Sequence, residues 1–147
     1  MRATRSSRRG AGAAELAMIF PVLALLTLGC IDFGRFAFRY IAIQNAARTG
    51  AEYGTMTSYT ATTKAAWKTE IAAKVTAELA DVAANGTVTT PSGVSVDVPD
   101  AELVPESTGL RKVRVNVTYT GFTTLVSWPG IPNNPTMTAK VVMRTIR

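Results

Sequence analysis

An uninterrupted apolar run near the N-terminus constrains the fold of this chain more than any other feature. Sixteen uncharged residues extend from Leu16 to Ile31, and Glu15 is the only charged residue between Ala11 and Ile31. Those 21 residues would form a helix of about 31 Å, close to the thickness of the bilayer hydrocarbon. The segment is therefore expected to cross a membrane once.

The residues before this run indicate its orientation. Residues 1–10 include four of the sixteen basic residues of the chain and no acidic residue. Because basic flanks stay on the cytoplasmic side, the N-terminus is expected inside and everything after Asp32 outside the cytoplasmic membrane. The remaining sequence has no basic stripe with interleaved aromatic residues, so nucleic-acid binding is not expected. The basic flanking residues are Arg2, Arg5, Arg8 and Arg9.

The apolar run can be interpreted as one of three kinds of export segment. A cleaved secretory signal needs small residues after its apolar core, whereas here the core is followed by Asp32-Phe33-Gly34. A lipoprotein signal would use Cys30, which Gly29 precedes suitably, but the residues 27–28 fit poorly. An anchor that is uncleaved or trimmed at its N-terminus fits best, and Cys30 is then a small apolar residue of the helix.

Helical periodicity continues beyond the apolar run. A helix from about Ala11 to Tyr53 would be about 64 Å long, which is about twice the bilayer hydrocarbon, and Gly50 and Gly54 are expected at its fraying end. Pro21 removes one backbone hydrogen bond and predicts a kink. The outer half needs a partner for its apolar face, either the protein's own globular domain or another chain. That face comprises Phe33, Phe36, Ala37, Tyr40, Ile43, Ala47 and Ala51.

The C-terminal two thirds of the sequence predict a small α+β domain. A second helix is expected over Thr63–Ala84, with a stop at Asn85-Gly86. Alternating residues then predict antiparallel strands with one wet face. The loop Trp128–Pro135 is either a contact loop or a plain strand connection. The apolar face of the second helix is Trp67, Ile71, Val75, Leu79 and Val82. The strands are Val94–Val98, Val113–Tyr119 and Lys140–Ile146, with Thr136 as an alternative start of the last strand.

The residues that carry catalytic or metal chemistry are scarce. The chain has no histidine and one cysteine, which excludes His-based triads, the usual zinc sites and an intrachain disulfide. Four acidic residues lie close together in a loop-rich stretch, where a solvated loop is expected rather than a calcium site. We therefore expect that the protein is not an enzyme and that it binds no cofactor and no metal. The four acidic residues are Asp97, Asp100, Glu102 and Glu106.

Three short motifs lie in and around the apolar helix, at Arg9–Ala17, Ile31–Arg35 and Gln44–Ala51. In this order and spacing they resemble the TadE-like family, whose members are pseudopilins or minor pilins of the tight-adherence (Tad/Flp) pilus system. The resemblance covers about residues 8–54. Leu16 stands where many members have an aromatic residue, which separates this chain from the much shorter major Flp pilins.

The resemblance implies proteolytic processing. Prepilins of this kind carry a short basic leader ending in Gly, which an aspartyl prepilin peptidase removes, and the fifth residue of the mature chain is Glu. Here Gly10 would end the leader, Ala11 would begin the mature chain, and Glu15 would be its fifth residue. The alternative is that Glu15 simply lies at the cytoplasmic interface, near Arg8 and Arg9.

The sequence is therefore interpreted as a pilin-like subunit with a leader (1–10), a membrane helix (11–31), its extracytoplasmic continuation (32–54) and a small α+β domain (55–147). Expected partners are other pilin or minor pilin subunits, the prepilin peptidase, the inner-membrane assembly platform and membrane lipid. The protein would reside in the bacterial inner membrane or enter a surface pilus. The alternatives are an unpolymerised membrane-anchored periplasmic adaptor or binding domain, a type II secretion pseudopilin, and a lipoprotein.

Overall fold

The computed structural model describes residues 7–82, 88–100 and 112–144. Within these ranges, two helices and five strands make up an α+β fold, as the sequence predicts, with a long N-terminal helix, a second helix and a three-stranded antiparallel sheet. In chain order the elements are α1 Ser7–Met56, α2 Lys64–Glu78, β1 Asp81–Val82, β2 Val88–Thr89, β3 Val94–Asp97, β4 Lys112–Tyr119 and β5 Met137–Arg144.

The chain divides into two compact units, residues 1–35 and residues 36–147. The first contains the N-terminal part of α1, where the apolar side chains face outward. Leu16 is 62% exposed, Met18 82% and Phe20 65%. Within the described residues, the helix over Gly10–Met56 is long and apolar enough to cross a membrane. It is therefore a candidate membrane span.

The sheet of the second unit has β4 at its centre, antiparallel to both neighbours. Alternation along β4 buries every second side chain, because successive residues of a strand point to opposite faces. Its inner face comprises Val113, Val115, Val117 and Tyr119, which are opposite Met143, Val141, Ala139 and Met137 of β5. The predicted strand positions are close to those observed. However, β3 ends at Asp97 rather than Val98, and β5 begins at Met137, next to the alternative start at Thr136 and not at Lys140. Residues 145–146 lie outside the described residues.

The second helix is shorter than its sequence predicts. Trp67, Ile71, Val75 and Leu79 are buried, as expected for its apolar face. The helix nevertheless ends at Glu78 rather than Ala84, and Val82 belongs to β1 instead of extending the helical face. β1 pairs with β2 in antiparallel register. The backbone of Asp81 and Val82 therefore forms strand hydrogen bonds instead of continuing the helix. The predicted stop at Asn85-Gly86 falls outside the described residues.

The outer part of α1 has a face of very small residues that packs against α2 and β4. Ala46, Ala47 and Ala51 are completely buried. Gly50 and Gly54 do not mark a fraying end, because the helix continues to Met56 and both glycines are buried. A Cβ on Gly54 would lie 2.8 Å from Cγ1 of Val113 and 2.9 Å from Cδ1 of Ile71. The glycines are therefore positions of close approach.

Candidate functional site

The N-terminal turns of α1 present small residues and one carboxylate. Gly10, Ala11 and Glu15 are helical and exposed. Ala11 and Glu15 are four residues apart, so they lie on one face of the helix, one turn from each other. A Cβ added at Gly10 or Gly12 would meet nothing within 4 Å. The first turns of α1 therefore have open space around both glycines, where a neighbouring helix can approach closely.

Only part of the basic flank can be placed. Arg8 and Arg9 belong to α1, but their side chains lie outside what the structure describes. Arg2 and Arg5 fall in a segment that is not described at all.

The α-helix continues through Pro21 without interruption, and the kink expected there stays a prediction. Farther along, the hydroxyl of Thr27 donates a 2.8 Å hydrogen bond to the carbonyl oxygen of Leu23. This bond satisfies the polar group of Thr27 within the helix, which matters in lipid because unsatisfied polar groups are costly there. The interior of the apolar run therefore has no uncompensated side-chain hydroxyl.

An ion pair lies directly after the apolar run. Nη1 of Arg35 is 3.3 Å from Oδ1 of Asp32, and Asp32 is only 6% exposed. Burial of a carboxylate is costly unless it is paired and hydrogen-bonded, so Arg35 offsets part of that cost. The sequence analysis did not single out this pair, although opposite charges three residues apart on a helix are a recognisable signal.

The predicted packing stripe separates into buried and exposed parts. Ile43 is 2% exposed, whereas Phe33 is 73% exposed and Tyr40 39%. Phe36 is half-buried, stacks on Tyr40 with ring centroids 6.4 Å apart, and meets Phe122 edge-on at 5.6 Å. Within the single chain, the stripe is thus buried at Ile43 and partly covered at Phe36, but exposed at Phe33 and Tyr40.

Two aromatic contacts join the C-terminal end of α1 to α2. The hydroxyl of Tyr53 donates a 2.6 Å hydrogen bond to Oε2 of Glu70, and Lys74 Nζ lies 5.6 Å from the centre of the Tyr53 ring. That hydrogen bond is the main reason why the pKa of Tyr53 is raised above 10.0, with desolvation and the charge of Glu70 acting in the same direction. Nearby, Nε1 of Trp67 donates a 2.9 Å hydrogen bond to the hydroxyl of Thr57.

The acidic stretch after β3 is partly tied to α2. Asp100 lies 2.5 Å from Nζ of Lys64 and 2.8 Å from Nζ of Lys68. Hydrogen bonds from the two ammonium groups lower the pKa of Asp100 to about 2, although desolvation opposes them. Asp97 accepts a 3.3 Å hydrogen bond from Asn116. Glu102 and Glu106 lie outside the described residues, and the described part of the chain contains no group of three potential metal ligands.

Comparison with known proteins finds one family. Residues 10–52 match the family described as TadE-like protein. No curated protein and no solved structure matches the chain significantly. The matched residues begin at Gly10, include Glu15 and the apolar run, and end on the buried small-residue face of α1. The resemblance predicted from the motifs is therefore confirmed over residues 10–52, where the N-terminal helix is similar to the TadE-like family.

Proposed function

We propose that this protein is a minor pilin or pseudopilin of a Tad/Flp-type pilus, and that it acts by non-covalent packing of its N-terminal helix rather than by catalysis. The observation that carries the proposal is the TadE-like match over residues 10–52, in which Glu15 follows Gly10 by five positions. The prepilin peptidase would cut between Gly10 and Ala11, which leaves Glu15 as the fifth residue of the mature helix.

The chemistry of Glu15 supports this processing. A lone carboxylate in a membrane helix costs about 2.5–3.5 kcal/mol at the bilayer centre and less toward the interface. Cleavage after Gly10 would create an α-amine on Ala11, one turn from Glu15. An ammonium group within the same helix or on a neighbouring subunit offsets the desolvation of the carboxylate.

The surface of the apolar run supports assembly through the same helix. Between Glu15 and Arg35 its large apolar side chains face outward, and the first turns after Gly10 are nearly all Ala and Gly. Helices in lipid associate chiefly by close packing at small residues. Before assembly, lipid would cover this surface, and in a pilus neighbouring pilin subunits would replace it.

Orientation follows from the basic leader. With the leader inside, the peptidase would act at the cytoplasmic face, and unit 36–147 would lie outside the cytoplasmic membrane. The partners in this account are other pilins, the peptidase and the assembly platform of the inner membrane.

The proposal is tested by complementation of a strain that lacks the gene, with surface Tad pili scored by electron microscopy. The wild-type chain should restore the pili, whereas Gly10→Val and Glu15→Gln should not. The matched control is Glu52→Gln, at an exposed carboxylate of the same helix. This control should restore the pili.

Two results would count against the proposal. Normal pili in the deletion strain would favour an unpolymerised anchored domain. Loss of type II secretion, with intact Tad pili, would assign the same membrane chemistry to a different machine.

A further inference from the structure

Strand β5 forms one edge of the three-stranded sheet. It pairs with β4 over its whole length, and among the described strands no other strand pairs with it. In an antiparallel pair, every second residue directs its N–H and C=O groups away from the neighbouring strand. The outer edge of β5 therefore presents a row of backbone donors and acceptors with which an added strand could pair.

The side chains on the outer face of β5 make this edge basic. Successive residues of a strand point to opposite faces, so Lys140, Val142 and Arg144 share one face, and all three are exposed. Arg144 is directly opposite Lys112 of β4, and like charges in opposite positions repel each other. The strand contains no acidic residue between Met137 and Arg144. An acidic side chain on an added strand would therefore be attracted to this edge.

The same charges disfavour a second copy of β5 as the added strand. Two β5 strands paired edge to edge would bring two copies of Lys140 and two copies of Arg144 onto one face, where they would repel each other. Lysine on an edge strand is a common protection against such self-pairing. The charges therefore favour an acidic segment of a different protein.

An open cleft lies beside the end of β5. Its volume is about 530 Å³, and the described residues that line it are Thr55 and Met56 at the end of α1 and Met143 and Arg144 of β5. Met143 and Arg144 are consecutive and point to opposite faces of the sheet. A cleft that both residues line therefore lies around the edge or end of the strand, and it can receive a side chain of an added strand.

Pairing with β5 would determine which side chains the partner needs. Residues directly opposite each other have Cβ atoms about 4.5–5.5 Å apart and point to the same face. Acidic residues opposite Lys140 and Arg144 would be separated by three residues, and one of these three, opposite Met143, would point toward the cleft. An antiparallel partner therefore has the pattern acidic–apolar–apolar–any–acidic, in which the second apolar residue packs on Val142.

We propose that the outer edge of β5 is a docking site for an extended acidic segment of another protein, which adds to the sheet as a further strand. Backbone hydrogen bonds and the cleft would supply affinity, and the alternating side chains would supply specificity. The inference concerns the unit 36–147 alone. It is independent of the cleavage and packing proposed for the N-terminal helix.

The test uses the full chain in detergent micelles and a fluorescent peptide, Thr-Thr-Glu-Phe-Val-Thr-Glu-Thr-Thr. The control peptide, Thr-Thr-Glu-Phe-Val-Glu-Thr-Thr-Thr, has the same composition but places its glutamates on opposite faces of a strand. Binding is measured by fluorescence anisotropy. Hydrogen exchange of the β5 backbone amides is measured residue by residue, with and without peptide.

The first peptide is expected to bind and to slow exchange at every second amide of β5, and the control peptide should bind about tenfold more weakly. Lys140→Glu together with Arg144→Glu should weaken binding of the first peptide similarly, and a peptide with lysine in place of both glutamates should bind that variant. Met56→Glu, at an exposed position of the cleft, should also weaken binding. Arg48→Glu, at an exposed cation of α1, is the matched control and should leave binding unchanged.

Four results would overturn the proposal. Equal binding of the two peptides would reduce the contact to non-specific charge attraction. Slow exchange throughout β5 without peptide, at every protein concentration, would show that the edge is already paired within the chain. Protection of β5 that increases with protein concentration would assign the edge to a second copy. No binding of either peptide would reject the docking site.

Discussion

Gly50 of α1 lies so close to Val75 of α2 that a Cβ on the glycine would be 2.5 Å from Cγ2 of the valine. Real Cβ contacts are longer, so any larger residue at position 50 must push the two helices apart or displace Val75. Because Val75 is completely buried, it has little room to move. The junction of the two helices therefore depends on the absence of a side chain at this position.

This contact predicts that Gly50→Ala destabilises the outer unit, although alanine is the better helix former. Overpacking of this kind typically costs about 1–3 kcal/mol. Thermal unfolding of the full chain in detergent, followed through limited proteolysis of the outer unit, measures the change. Gly34→Ala is the matched control, since nothing lies within 4 Å of a Cβ there. A stability of Gly50→Ala equal to or above that of the control would contradict the close approach.

The edge contact between Phe36 and Phe122 predicts a second effect on stability. Phe122 is 4% exposed, and Phe→Ala at a buried site typically costs about 3–5 kcal/mol. Leu125→Ala, at an exposed position between β4 and β5, should change the free energy of unfolding by about 0.5 kcal/mol or less. Chemical denaturation of both variants measures the difference. Equal effects of the two substitutions would mean that the contact of Phe122 with Phe36 of α1 does not stabilise the fold.

The hydrogen bond from Tyr53 to Glu70 predicts a pH dependence in the alkaline range. Because the pKa of Tyr53 is raised above 10.0 in the folded chain, the stabilisation is fully present below pH 10.0. It is lost as the pH rises through the raised value. Tyr53→Phe should therefore be less stable than the wild type at neutral pH, and the difference should shrink above pH 10.0. A difference that stays constant over that range would contradict the assignment.

Asp100 predicts the opposite dependence, in acid. Its pKa falls from 3.8 to about 2 beside Lys64 and Lys68, so the stabilisation is present above pH 3.8 and is lost as the pH falls through about 2. Asp100→Asn should be less stable than the wild type at neutral pH and equal to it in strong acid. The carboxylate is exposed, so the effect should be modest, and added salt should weaken it. A variant unaffected at neutral pH would show that the pair contributes no stability.

Much of the fold can be predicted from local sequence patterns. The apolar run, the period of Trp67, Ile71 and Val75, and the alternation of Val113 to Tyr119 each reflect the burial of one face. Burial leaves a periodic signal in the sequence.

The missed features depend on tertiary contacts instead. Gly50 and Gly54 look like helix terminators by local propensity, but the approach of Val75 and Val113 requires them within a continuous helix. The end of α2 at Glu78 depends on the pairing of β1 with β2, and strands of two residues are too short to show alternation. The contact between Phe36 and Phe122 also depends on tertiary structure, because it requires β4 to run along α1 in the opposite direction. Local sequence patterns do not show that direction.

The central claim is that the chain is processed as a prepilin, and it is tested most directly by the N-terminal residue of the protein purified from its native membrane. Sequencing together with intact mass should give a chain that starts at Ala11, with Glu15 as its fifth residue. A chain that starts at Met1 would contradict the account and favour a plain anchored domain. A lipid-modified start at Cys30 would reject the pilin interpretation altogether.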